Sequence, residues 1–256
     1  MLRSMKSVKG FAIQAEEGKI GEVSDFYFDD EMWVVRYLVA DTGSWLSSRE
    51  VLIASVALEQ PDWEERTFPV DLTKDQVERA PSRDTDKPVS RQFEAELHSH
   101  YNWASYWPPN LFYGYAWIPR EAPDTGTGNE VREKIMRKTG DQEYNTHLRS
   151  MNEVLGYSIS ALDGSIGHME DFIAEDGSFN IRYAVVDTRT LLPGGKKTIV
   201  APSWIRRVNW SDEKVTVDLT KNEIKEGPEY DPSEPVNRKY EERLYDYYGR
   251  PRYWME

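Results

Sequence analysis

Gly18-Lys19-Ile20-Gly21-Glu22-Val23-Ser24-Asp25-Phe26 returns 146 residues later as Gly164-Ser165-Ile166-Gly167-His168-Met169-Glu170-Asp171-Phe172. Working outward, the same offset aligns Leu2-Arg3-Ser4-Met5 with Leu148-Arg149-Ser150-Met151, Gly10 with Gly156 and Ile13 with Ile159. It also aligns Arg36-Tyr37 with Arg182-Tyr183 and Asp41-Thr42 with Asp187-Thr188. From Leu2 to Thr42, 19 of 41 positions are identical without a gap. After one inserted residue the offset becomes 147, pairing Trp63 with Trp210 and Val70-Asp71-Leu72-Thr73-Lys74 with Val217-Asp218-Leu219-Thr220-Lys221. Self-similarity at a fixed spacing marks a repeated structural unit. The chain is a duplication.

Within each copy the pattern is that of short strands. Val51-Leu52-Ile53 and Thr198-Ile199-Val200 are β-branched runs of the kind that fill buried strands. In Trp33–Val39 the odd positions are all apolar while Arg36 interrupts the even ones, which is a period of two with one buried face. Glu16-Glu17-Gly18 and Leu162-Asp163-Gly164 read as hairpin turns, as do Asp29-Asp30-Glu31 and Glu175-Asp176-Gly177. Several short strands between turns, in about 80 residues, predict a small β-barrel or compact sandwich.

The repeat continues past that body. Pro88-Val89 aligns with Pro235-Val236, Arg91 with Arg238, Glu94 with Glu241, Tyr101 with Tyr248 and Tyr106-Trp107 with Tyr253-Trp254. These segments lose strand alternation and gain helix-forming charges, so each reads as a short amphipathic helix, with Pro88 and Pro235 suiting a first helical turn. The organisation expected is a first repeat over 1–81, an aromatic arm over 82–107 and a connecting insert over 108–147. A second repeat over 148–228 and a second arm over 229–256 complete it. Another helix is expected at Asn129–Lys138.

The pattern Gly10-x-x-Ile13, Gly18-x-Ile20-Gly21-x-Val23-x-Asp25-Phe26, an acidic turn, then Val35-Arg36-Tyr37-Leu38-Val39 resembles the PRC-barrel family. The family takes its name from the cytoplasmic domain of the photosynthetic reaction centre H subunit, and a related barrel forms the C-terminal half of a ribosome maturation factor. The second copy keeps the pattern with Met169 in place of the valine. The resemblance implies a mainly β fold of two tandem PRC-type barrels, each with a C-terminal helical arm, related by a pseudo-two-fold axis. It also implies a protein–protein adaptor. An adaptor at a photosynthetic complex or membrane surface is the second reading by the same analogy.

Composition narrows the chemistry. The chain has no cysteine, which removes disulfides and thiolate sites. The net charge is -13 and no segment of the chain is basic, which speaks against nucleic acid. No run approaches the roughly 18–20 apolar residues of a membrane span. Met1–Gly10 has basic residues without an apolar core behind them, so a cytoplasmic protein without a secretory signal is expected. Neither a nucleophile elbow nor a phosphate loop occurs, and no catalytic residue or cofactor is expected. Asp25, Asp29, Asp30 and Glu31, with Asp171, Glu175 and Asp176, offer hard oxygen ligands to a divalent cation, so a metal-binding or hydrolytic protein is the third reading. Solvated turns are the simpler account of them. Arg36 with Asp41, and Arg182 with Asp187, recur as architectural pairs. His98 and His100 lie two apart, which on a helix points them to different faces.

The remaining signal is aromatic. Nine aromatic residues fall in the 27 from Arg91 to Trp117, where the chain-wide 12% would place about three. Such side chains either pin the arms as core or form a docking surface. The docking residues expected are Tyr101, Tyr106, Trp107, Tyr248, Tyr253 and Trp254, engaging the chain itself, a second copy or a protein partner.

Overall fold

The computed structural model describes residues 1–46, 49–81, 89–107, 147–189 and 194–255. The chain divides into two compact units, one made of Met1–Glu78 with His147–Glu256 and the other of Arg79–Thr146. Both copies of the repeated body thus lie in one unit. The expected helix at Asn129–Lys138, and the insert except for His147, lie outside the described residues.

The protein is mainly β, with two sheets. In the first copy β1 is Leu2–Ser4, β2 Ala12–Ala15, β3 Gly18–Asp29, β4 Val34–Asp41, β5 Glu50–Ala54 and β6 Thr67–Pro69. In the second, β7 is Leu148–Ser150, β8 Ser158–Ala161, β9 Gly164–Glu175, β10 Ile181–Asp187, β11 Lys197–Val200, β12 Ile205–Asn209 and β13 Lys214–Val217. The helices are α1 (Lys74–Glu78), α2 (Arg91–Tyr101), α3 (Met151–Val154), α4 (Lys221–Glu226) and α5 (Arg238–Tyr248). One sheet runs β5-β4-β3-β2-β6 and the other β11-β10-β9-β8-β13-β12. Among the described residues no pairing joins the ends of either path, so a closed barrel is not detected in either sheet.

The turns fall where the sequence puts them, at Glu16-Glu17 and Leu162-Asp163 and after Asp29 and Glu175. The repeated Ile-Gly step has a steric cause. A Cβ at Gly21 would overlap the Asp41 carbonyl of β4, and one at Gly167 the Asp187 carbonyl of β10. The strand above each glycine therefore lies too close for any side chain. Ile13, Ile20, Phe26, Val35 and Tyr37 form the core of one copy, and Ile159, Ile166, Phe172, Ile181 and Tyr183 that of the other.

The first strand of each copy does not stay with its own sheet. Leu2-Arg3-Ser4 pairs antiparallel with Ile173–Glu175 of β9, and Leu148-Arg149-Ser150 pairs with Tyr27–Asp29 of β3. Ser4 Oγ donates to Asp171 Oδ2 at 2.5 Å while the Lys6 amide donates to Oδ1 at 2.9 Å. Reciprocally, Ser150 Oγ donates to Asp25 Oδ2 at 2.5 Å and the Asn152 amide to Oδ1 at 3.0 Å. Farther along the seam the Val35 amide donates to the Phe179 carbonyl (3.0 Å) and the Ile181 amide to the Trp33 carbonyl (2.8 Å). Trp33 and Phe179 hold left-handed φ values of 52° and 55°, a strained conformation for aromatic residues that the cross-copy bonds help to hold. Phe28 and Phe172 close the middle, with ring centroids 5.3 Å apart. The repeated Leu-Arg-Ser-Met and Asp-Phe steps are two halves of one exchanged joint.

Asp25 and Asp171 are each only 8% exposed. Burial raises both carboxyls above the ordinary value of 3.8, opposed chiefly by the serine hydroxyl each accepts from. A carboxyl whose pKa rises on folding stabilises the fold fully below its unfolded value and loses that contribution as pH rises through the folded one. The stability of the wild type relative to Asp25→Asn/Asp171→Asn should therefore fall as pH climbs from about 4 toward neutrality. Urea unfolding over a pH series measures it, and a pH-independent difference would contradict the account.

Candidate functional site

The acidic turns are engaged by basic groups. Arg149 Nε lies 2.9 Å from Asp30 Oδ2, and Arg3 Nε lies 3.6 Å from Asp176 Oδ2. Each guanidinium also stacks over a tryptophan of its own copy, Arg149 on Trp210 at 4.5 Å and Arg3 on Trp63 at 4.6 Å. His147 joins Asp30 at 3.1 Å. Arg36 pairs with Asp29 at 3.2 Å and Arg182 with Glu175 at 2.7 Å. The reason is geometric. In a hairpin the partner of Arg36 is the residue across the turn. Among the described residues no cluster of three or more His, Asp or Glu side chains is arranged to hold a metal ion.

The arms carry the second constellation. In the larger unit α5 starts after Asn237, whose side chain accepts from the Tyr240 amide, and stops at Gly249 in the left-handed conformation. Pro235 therefore precedes the cap instead of occupying the first turn. Glu241 is 2% exposed and its Oε1 accepts from Tyr183 Oη of β10 and from Tyr253 Oη, both at 2.8 Å. Arg238 Nη1 lies 3.0 Å from the other oxygen, and its guanidinium sits 4.1 Å over Trp254. Tyr253 and Trp254 thus fold back on their own helix, with Tyr245 packing edge-on to Trp254 at 5.1 Å. The sheet contributes Arg182, which stacks over Tyr253 at 4.4 Å. Tyr248 points the other way, 5.1 Å from Trp204, and burial pushes its hydroxyl up to about 12.

The other unit builds the same clamp. Helix α2 is capped by Ser90 and ends at Asn102 with φ 61°, while Pro88, expected in its first turn, lies outside the described residues. Glu94 is fully buried, accepts from Tyr106 Oη at 2.5 Å and pairs with Arg91 Nη1 at 2.8 Å. Arg91 stacks over Trp107 at 4.7 Å. Tyr101 stacks flat on Trp103 at 4.2 Å. His98 stands where the second arm has Tyr245, in edge contact with Trp107 at 4.9 Å, its Nδ1 3.1 Å from the Ala104 carbonyl. Sequence reasoning aligned these arginines and glutamates without seeing that they hold the Tyr-Trp pair. The available signal was an Arg-x-x-Glu step conserved in both copies beside two aromatic residues at constant distance.

A family model of the PRC-barrel domain matches residues 4–77. The match lies within the first copy, starting inside the exchanged strand and ending inside α1. No curated protein matches the chain. No helix among the described residues is long and apolar enough to cross a membrane.

Two outcomes follow from the clamps. Glu241→Ala leaves two hydroxyls without an acceptor, at about 1–3 kcal/mol each when buried. It should lower the melting temperature by several degrees, whereas Glu241→Gln, which keeps an acceptor, loses less; equal melting of Glu241→Ala and wild type would exclude the clamp. For His98, burial is the main cause holding the imidazole below the ordinary value of 6.5, with the Ala104 carbonyl opposing and the Arg91 charge assisting. A depressed histidine contributes stability above its unfolded value that is lost as pH falls toward the folded one. Wild type should therefore lose more thermal stability than His98→Phe between about pH 7 and about pH 5.

Proposed function

We propose that the chain is a non-catalytic interaction or assembly module of the cytoplasm, built from two tandem PRC-type barrels, each followed in sequence by a helical aromatic arm. The observation that carries this reading is how the chemically competent groups are engaged. Ser4, Ser150, Asp25 and Asp171 bind one another across the seam, and Asp30 and Asp176 face arginines. Hydroxyls and carboxylates held in this way support architecture rather than turnover. Duplication within one chain gives a two-fold arrangement of surfaces that a homodimer would otherwise supply. With a net charge of -13, such a module suits a protein partner that presents a basic face. The same acidity disfavours direct docking on anionic lipid.

The competing metal-dependent reading makes a different prediction. Calorimetric titration of the full chain with calcium, magnesium and zinc should give no stoichiometric site. Affinity isolation from the source cell followed by cross-linking should return a partner linked to a defined face, through contacts that weaken with salt. A tight divalent site abolished by Asp30→Asn or Asp176→Asn would overturn the proposal.

A further inference from the structure

Strand β12 ends its sheet: it pairs with β13, and among the described residues no strand lies on its other side. Such an edge presents backbone N–H and C=O groups that a further strand can bond. The repeat shows which groups face outward. In the first copy the Asp62 amide donates to the Thr67 carbonyl at 2.8 Å, and the Thr67 amide returns a bond of 3.0 Å. The equivalent pair in the second copy is Asn209 with Lys214, and the two turns share a left-handed residue, Arg66 (φ 52°) and Glu213 (φ 50°). Bonded and non-bonded pairs alternate along an antiparallel ladder, so Val208 opposite Val215 is a non-bonded pair. The N–H and C=O of Val208 therefore point away from β13, into the open edge.

The two copies treat this edge in opposite ways. Where β12 carries Arg206, Arg207 and Val208, the first copy has Glu59, Gln60 and Pro61. Pro61 has no N–H to give, and the first copy forms only isolated bridges there, Leu58 with Val70 and Asp62 with Thr67. Proline on an edge blocks unwanted pairing. The second copy lacks that block and reverses the charge: residues 206–214 carry a net +1 where 59–67 carry -3. Arg206 and Arg207 are both exposed, and neither has an ion pair or a side-chain hydrogen bond among the described residues. Two free guanidiniums thus stand beside unused backbone groups on one side of the repeat only.

We infer that β12 is a strand-addition site for an extended acidic segment of a partner protein. The segment pairs through the N–H and C=O of Val208, and its carboxylates meet Arg206 and Arg207. In strand addition the main-chain bonds give affinity and the side chains give selectivity. A second copy of β12 is a poor occupant, because it would bring the same arginines together. At about 0.15 M salt, charges beyond about 8 Å are largely screened, so the local cations govern a segment on this edge rather than the chain's net -13. The inference goes beyond the assembly role above. It concerns one edge and an acidic segment, and it does not depend on the basic-faced partner proposed there.

The test is fluorescence anisotropy on the full chain at about 0.15 M salt, with a short labelled peptide of alternating valine and glutamate as the probe. It should bind saturably, at least about tenfold more tightly than the same peptide with a central proline or with lysine in place of glutamate. Arg206→Glu/Arg207→Gln and Val208→Pro install what the first copy carries. Each should weaken binding about tenfold without lowering the melting temperature, and if Val208→Pro does not fold, the arginine variant decides. No saturable binding would overturn the inference, as would unchanged affinity in the arginine variant. Equally tight binding of the proline-interrupted peptide would also overturn it, since that leaves charge attraction without strand pairing. So would a dimer in light scattering that Arg206→Glu/Arg207→Gln abolishes, which would make the occupant a second copy.

Discussion

A buried aspartate that accepts a hydroxyl and an amide from the other copy is the joint on which this molecule depends. Asp25 and Asp171 sit mid-strand, nearly out of solvent, where an unpaired carboxylate would be costly. Each accepts from the amide of the next residue in its own strand, and the opposite copy completes the set by delivering a Ser-x-Lys or Ser-x-Asn segment at the right height. Delivery requires the first strand to cross over and pair with β9 or β3. That crossing in turn brings Arg3 and Arg149 to the acidic turns and Phe28 against Phe172. Remove the crossing and each copy loses an edge strand, a pair of hydrogen bonds and part of its core together.

The arms repeat this economy at smaller scale. One buried glutamate gathers an arginine from the preceding turn and a tyrosine hydroxyl from beyond the helix end, so the chain doubles back and the tryptophan rests on the guanidinium. An ion pair of this kind is not by itself a large stabiliser, because desolvation offsets much of the attraction. Its value is directional. It fixes where the Tyr-Trp pair lies, and the same geometry recurs in two units that are otherwise different surroundings for it.

Much of this was legible in the residues. The 146-residue echo stands in the residues themselves, the strand runs and turns fall close to their places, and helices α2 and α5 lie within the segments that lose strand alternation. Leu2-Arg3-Ser4 and Leu148-Arg149-Ser150 were visible as repeats but not as an exchange, because a three-residue strand carries no information about which of two equivalent edges it joins. Nor could the acidic turns be assigned partners, since Arg3 and Arg149 reach them only through that exchange. The pairing of Arg36 with Asp29 depends on hairpin register, which periodicity alone leaves open. Sheet closure was likewise undetermined, as alternation reads the same in an open sheet and in a barrel.

If the exchanged strands make the two copies one cooperative body, the copies cannot open separately. Native-state hydrogen exchange resolves this residue by residue. The amides of Lys6 and Asn152, which donate across the joint, and those of core strands β4 and β10 should all reach the same limiting free energy of opening. Two separate plateaus, one for β4 with its neighbours and another for β10 with its own, would contradict the account.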